Sequence, residues 1–158
     1  MAPSAEAIQR TLDKADGRMR GMASHEISIE PQVSELPRLA SWVEECCASD
    51  GLSTDFAFKM ALVLEEAVSN VVNHAFPEQA SQPITIRLEI TGERFAAEVI
   101  DSGMAFDPTA APDPNLSLPL EEREPGGLGI HLMRQMTDRL DYRRDRDRNI
   151  LRLEKARR

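Results

Sequence analysis

The chain has 158 residues, 41% of them hydrophobic and 29% charged, with a formal net charge of −8. That length favours one domain with at most a short appendage, and the acidic balance argues against a dedicated nucleic-acid binder, which would usually be basic. The charge is uneven: residues 141–158 hold eight Lys/Arg against four Asp/Glu, a local +4 that leaves −12 elsewhere. Such a run usually faces water, so the basic end reads as a solvated hairpin and tail.

The only cysteines, Cys46 and Cys47, are adjacent. Neighbouring Cα atoms lie about 3.8 Å apart, closer than ordinary disulfide geometry tolerates. Two are also too few for a zinc site, so reduced thiols in a cytoplasmic protein are expected. No apolar run approaches the roughly 20 residues of a membrane span, and the opening MAPSAEAIQR has no signal-peptide stretch.

In chain order, residues 1–24 read as an appendage with few apolar residues to bury, and 25–158 as the domain. His25–Ile29 is a first strand, with Ile27 and Ile29 on one face. Ser34 is expected to cap a helix running to Ser49, with Leu36, Leu39, Ala40, Val43 and Cys47 inward and Asp50-Gly51 as its stop. Ser53 or Thr54 caps a second helix whose apolar surface includes Phe58, Ala61, Leu62, Leu64, Val68, Val71, Val72 and Ala75. Phe76-Pro77 closes it. Ile84–Ile90 alternates as a strand, Thr91-Gly92-Glu93 turns, and Phe95–Ile100 returns as the second half of a hairpin. Residues 102–125 carry five prolines and are expected to form no regular element; so long a loop is usually functional or disordered. A third helix is expected from Ile130 to about Arg139, then a hairpin of 140–143 and 150–153. The order β-α-α-β-β-loop-α-β-β predicts an α+β two-layer sandwich, with a mixed, mostly antiparallel sheet covered on one face by three helices.

Three segments carry chemistry. In Glu66-Ala67-Val68-Ser69-Asn70, Glu66 and Asn70 stack on one helical face, with Asn73 beside Asn70. An amide oxygen suits Mg²⁺, and a carboxylate one turn away can accept a proton. In Asp101-Ser102-Gly103 an apolar strand delivers a carboxylate to its end, where it can accept a hydrogen bond from an exocyclic amine; Gly103 permits a tight turn. In Gly126-Gly127-Leu128-Gly129, glycines ahead of a helix allow phosphate to approach backbone N–H groups. Taken singly, each has a plain structural reading: a satisfied polar patch, a strand-end Asp, a flexible hinge. The glycine segment is neither a Walker A loop nor a Rossmann fingerprint.

Together and in this order, the three segments resemble the N, G1 and G2 boxes of the GHKL ATPase superfamily, the Bergerat fold. They most resemble its anti-sigma-factor serine/threonine kinases of the RsbW and SpoIIAB type, over about residues 25–155. Phe106-Asp107-Pro108 and the tail Asp138-Arg139-Leu140-Asp141-Tyr142, followed by Asn149-Ile150-Leu151, fit the same pattern. The resemblance implies ATP and Mg²⁺ as cofactors, Asn70 as the Mg²⁺ ligand and Glu66 as the catalytic base. It implies Asn73 and His74 near the nucleotide, Asp101 on the adenine amino group and Gly103 lining the base pocket. Residues 107–125 would form an ATP lid, and Gly127 and Gly129 would meet the phosphates. Phe106, Gly126 and Leu128 belong to the same boxes. Arg123, the one cation in that lid, is a candidate phosphate partner by charge and position alone.

The resemblance further implies a protein serine kinase that phosphorylates a STAS-domain anti-anti-sigma antagonist. It implies a sigma factor or other regulated protein as second partner, and a homodimer, with no nucleic acid or membrane. The competing reading is a module that holds ATP and sequesters a partner without turnover. Ser24-His25-Glu26-Ile27 with Pro31 resembles the acceptor box of sensor histidine kinases. Only 44 residues separate His25 from Asn70, which leaves no room for the two-helix domain those proteins place between. His25 is therefore read as a strand-start histidine, and His131 as a packing or surface residue.

Overall fold

A computed structural model describes residues 21–75, 82–123 and 127–157. Strand β1 covers Ala23–Ile29, helix α1 Leu36–Ser49 and helix α2 Thr54–Asn70. Strands β2 (Ile84–Ile90) and β3 (Arg94–Asp101) follow. Helix α3 spans Gly127–Met136, and β4 (Arg139–Asp145) and β5 (Arg148–Ala156) end the domain. The five strands form one sheet in the order β1-β2-β3-β5-β4. Every pairing is antiparallel, so the expected mixed sheet is antiparallel throughout.

One sheet face is apolar because its registers stack like with like. Ile86 is opposite Ile27 and Val99, and Val99 is opposite Leu151. With Leu39, Val43, Met60, Leu64, Val68 and Met133 from the three helices, these residues form the core. The other face is charged. On it Arg152 reaches Glu154 at 3.0 Å and Glu89 and Glu98 at 3.4 Å, and Arg87 meets Glu26 at 2.6 Å. Within the basic end, Arg152, Arg148 and Lys155 are thus paired with carboxylates, which neutralises part of it locally.

Several sequence expectations shift. Ser34 caps nothing: a 3-10 turn over Val33–Glu35 leads directly into α1, with proline in the helix's first turn. Ser53 does cap α2, its hydroxyl accepting from the Phe56 N–H at 3.2 Å. Phe58 is 60% exposed, and Phe56 takes the buried place two residues earlier, where it packs edge-on against Phe95. Cys46 and Cys47 are both buried and unbonded to each other; burial pushes their thiols up to about 11 and about 12. Short 3-10 turns over Pro108–Ala110 and Leu120–Glu122 interrupt the proline-rich loop. Helix α3 begins and ends three residues before its expected limits, because the chain from Arg139 pairs with β5 instead. Phe76-Pro77 lies outside the described residues. Among the described residues no helix is long and apolar enough to cross a membrane.

Candidate functional site

The C-terminal ends of α2 and β3 and the start of α3 meet on one side of the sheet. A five-residue π turn over Val71–Ala75 continues α2, a feature often found where a helix serves a site. It alters the expected facing. Asn70 is buried, at 8% exposure, whereas Asn73 and His74 beyond it are exposed. Asn73 therefore does not share Asn70's surroundings, and His74 instead stacks on Phe106, with ring centroids 4.9 Å apart.

The Nδ2 of Asn70 is the one buried side-chain polar atom without a hydrogen-bond partner among the described residues. Leaving such a group unpaired costs about 1–3 kcal/mol. Amide O and N are interchangeable by a half-turn, so the same position can present oxygen. Asn70 shares a cavity of ≈ 20 Å³ with Ala67, Asp101, Phe106, Tyr142 and Asn149, room for about one water molecule.

Asp101 ends β3 and is 3% exposed. Its Oδ1 accepts from the Gly103 N–H and from Asn149 Nδ2, both at 2.9 Å, which holds the carboxylate as an acceptor. Gly103 is required by packing: an added Cβ would overlap the Ala75 carbonyl. The Met104 N–H donates to that same carbonyl at 2.6 Å. This locks the turn after Asp101 to the end of the π turn.

Glu66 is half-buried one turn before Asn70. Gly129, in the first turn of α3, lies so close that a Cβ there would overlap the Glu66 carboxylate. The glycine segment and the candidate base are therefore neighbours. Gly127 opens α3, Leu128 is 43% exposed, and Gly126 lies outside the described residues. Arg123 is not presented to the cleft by its Nε and Nη2. They donate to the Leu118 and Leu116 carbonyls at 3.0 Å, closing the loop on itself. Glu65, beside Glu66, is held above the usual carboxylate range, first by burial and then by the charges of Glu66 and Glu44.

Four side chains that bond around these residues have no role assigned by the sequence, although Tyr142 and Asn149 lie in the tail that fits the family pattern. Asn149 joins Asp101, the Met104 carbonyl and the Phe106 N–H. Tyr142 and Arg144 donate to Asn149 Oδ1 at 2.6 and 3.1 Å. Arg134 of α3 binds Asp113 and the Thr109 and Ala111 carbonyls, pinning the first half of the proline-rich loop. A lone Asn between a charged turn and Ile150-Leu151 was visible; the register that sets it opposite Asp101 was not. The two lone histidines fall as expected: His25 bonds Asp50 at 2.7 Å and His131 is half-buried.

An antiparallel five-stranded sheet with three helices defines an α+β protein, in which Asn70 and Asp101 share a cavity and Glu66 lies against the glycine-opened α3. The model of the histidine kinase-like ATPase domain matches residues 29–155. The serine/threonine-protein kinase BtrW of Bordetella bronchiseptica is 35% identical over 103 residues, 65% of this chain and 72% of that one. The serine-protein kinase RsbW of Bacillus cereus is 26% identical over 105 residues, 64% of this chain and 65% of that one. The fold matches the crystal structure of the RsbU and RsbW domains of a Mycobacterium tuberculosis protein with a TM-score of 0.62 at 14% identity, over 86% of this chain and 33% of that one. It also matches the histidine kinase domain of an Erythrobacter litoralis blue-light-activated kinase, with a TM-score of 0.51 at 18% identity, over 79% of this chain and 60% of that one. The chain belongs to the histidine kinase-like ATPase family, in its branch of RsbW-type serine/threonine-protein kinases.

Proposed function

We propose that this protein binds Mg-ATP in the cleft and transfers the γ-phosphoryl group to a serine of a STAS-domain antagonist. The observation that supports this most is a run of neighbours: Asn70 shares a small cavity with Asp101, and one turn before it Glu66 lies against Gly129 at the start of α3. Asp101 would accept from the adenine amino group, and Phe106 with its stacked His74 would move aside, since the present cavity is too small for a base. Backbone N–H groups at Gly127 and Gly129 would receive the phosphates at the start of α3. Arg123 reaches a phosphate by exchanging the Leu116 or Leu118 carbonyl for it.

Mg²⁺ fits this donor set. Among the described residues no three His, Cys, Asp or Glu side chains gather into a metal cage, and Mg²⁺ commonly uses one or two protein oxygens plus phosphates and water. Asn70, with an amide that lacks a protein partner, would hold it, and when bound it would neutralise charge on the phosphates. Glu66 then accepts the proton of the serine hydroxyl as its oxygen bonds to the γ-phosphorus. The bond from the γ-phosphorus to the bridging oxygen breaks, and ADP leaves. The product pair is phosphoserine and ADP.

In this reading residues 25–158 are the kinase domain and residues 1–24 an appendage. The protein works in the cytoplasm as a homodimer and exchanges between the antagonist and a sigma factor or other regulated protein. A single-turnover assay with γ-labelled ATP and a STAS-domain antagonist tests it. Label is expected on serine. Glu66→Ala is expected to lower transfer by about 10²–10⁴-fold while ATP affinity stays within a few-fold. Transfer at the wild-type rate would remove Glu66 as base. ATP binding without any phosphoserine would leave only an ATP-holding module.

A further inference from the structure

We propose that residues 5–19 pack as one amphipathic helix along β3 and β5, on the sheet face that α1, α2 and α3 leave open. The inference is independent of the ATP-binding reading. Its starting point is an apolar strip inside the charged face. Side chains alternate across a strand, so Ala96 and Ile100 of β3 point away from Phe95, Val99 and the three helices. Ile150 of β5, the register partner of Ile100, points the same way. These three residues are 1%, 7% and 4% exposed, yet none belongs to the core cluster that joins the helices to the sheet. Their shelter from water therefore has another source.

The shelter has the width of a single helix. On the outer strands the residues of the same face are exposed: Ser24, Glu26 and Ser28 on β1, and Arg139, Asp141 and Arg143 on β4. Strands lie about 4.8 Å apart and a helix with its side chains is about 10–12 Å across. One helix thus shields two strands and leaves the outermost bare, whereas a second copy docked face to face would bury those as well. The chain holds a segment that fits. Positions 1–20 precede β1 and lie outside the described residues; there Ala5, Ile8, Leu12, Ala15 and Met19 recur at spacings of three, four, three and four. On a helix that is one narrow apolar stripe, too little for a core of its own but enough for a strip of three residues. Ile8 to Met19 spans about 16 Å at the helical rise, against about 14 Å from Ala96 to Ile100 along the strand. The connection also fits. Ala23 is opposite Ile90, and Ile90 opposite Phe95, so β1 starts at the Ala96 end of the sheet, about 10 Å from β3. Residues 20–22 can reach that far, which sets Met19 by Ala96 and turns Ile8 and Leu12 toward Ile100 and Ile150. Those two isoleucines adjoin Asp101 and Asn149 in the chain, so the segment braces from behind the strand pair that carries both side chains.

The test uses the full chain. Leu12→Gln strikes the middle of the stripe, and Arg10→Gln makes the same new side chain on the opposite side of the helix. In urea, Leu12→Gln is expected to lower the folding equilibrium constant about tenfold or more, the loss of one buried leucine, and Arg10→Gln to leave it within about twofold. The second readout is local. Ile150→Cys places a thiol in the strip, where its labelling by a maleimide is expected to be slow. Adding Leu12→Gln is expected to raise that rate about tenfold or more, because the segment opens without the rest of the domain. Cys46 and Cys47, both buried, set the background. If Ile150→Cys does not fold, Ala96→Cys takes its place. A labelling rate that Leu12→Gln leaves unchanged would overturn the proposal, since the strip would then be shielded by the aliphatic stems of Arg87 and Arg152. Protection that fades on dilution would overturn it too, as the mark of a second copy.

Discussion

Around Asp101 the polar side chains are buried and hydrogen-bonded to one another; around Glu66 they are not. Asp101 and Asn149 are each 3% exposed and bonded to one another and to the turn at residues 103–106. Asn70 has an unpartnered amide, Glu66 makes no hydrogen bond among the described residues, and Arg123 is spent on loop carbonyls. The first end is organised before any ligand arrives, and the second waits for charge from outside. On the proposed function, selection of a ligand would belong to the bonded end, whereas the reacting end would be rearranged by its ligand without disturbing the core.

The sharpest way to break this comparison is to add the same methyl group at each end. At Gly103 a Cβ meets backbone, the Ala75 carbonyl, which cannot move without disturbing the π turn. Gly103→Ala is expected to lose about 1–3 kcal/mol or more of stability and to lose nucleotide binding, as chemical denaturation and titration would show. At Gly129 a Cβ meets only the far end of the Glu66 side chain, which can swing away. Gly129→Ala is expected to unfold within about 0.5 kcal/mol of wild type yet transfer phosphate at least about tenfold more slowly, because the base is displaced. Equal stability losses in the two variants would erase the distinction.

A smaller effect sharpens it. Burial, then Glu66 and Glu44, raises the Glu65 carboxyl above its ordinary value. For a group raised on folding, the stabilising contribution is whole below the unfolded value, about 4.3, and is lost as pH rises through the folded one. At neutral pH the ionised Glu65 is therefore a small net cost at the reacting end. Glu65→Gln is expected to raise the melting temperature slightly at pH 7, with the gain vanishing below about pH 4. A gain that persists in acid would show a packing effect instead.

What could be read in the sequence followed from local rules. Period-two alternation over Ile84–Ile90 located a strand to the residue, and apolar runs with Ser53 and Gly51 bounded two helices. The three boxes name Glu66, Asn70, Asp101, Gly103 and Gly129; in the structure Asn70 and Asp101 line one small cavity, Gly103 packs on Ala75, and Gly129 lies against Glu66. Phe58 was misjudged because an apolar residue looks alike on either side of a helix until the neighbouring helix is placed.

Local patterns in the chain suffice for the element order, the sandwich class and the chemistry on offer: a carboxylate, an amide and glycines at fixed places on the chain. Periodicity and turn residues act within a few positions, so they survive without the fold. The assembled sheet is what makes β3 and β5 neighbours, so that Asn149 and Asp101, 48 residues apart, share a hydrogen bond. Only the folded chain shows that the π turn parts Asn73 from Asn70, and that Gly129 is small for the sake of Glu66. Those facts depend on strand register and helix packing, which many distant contacts set together and no short segment encodes.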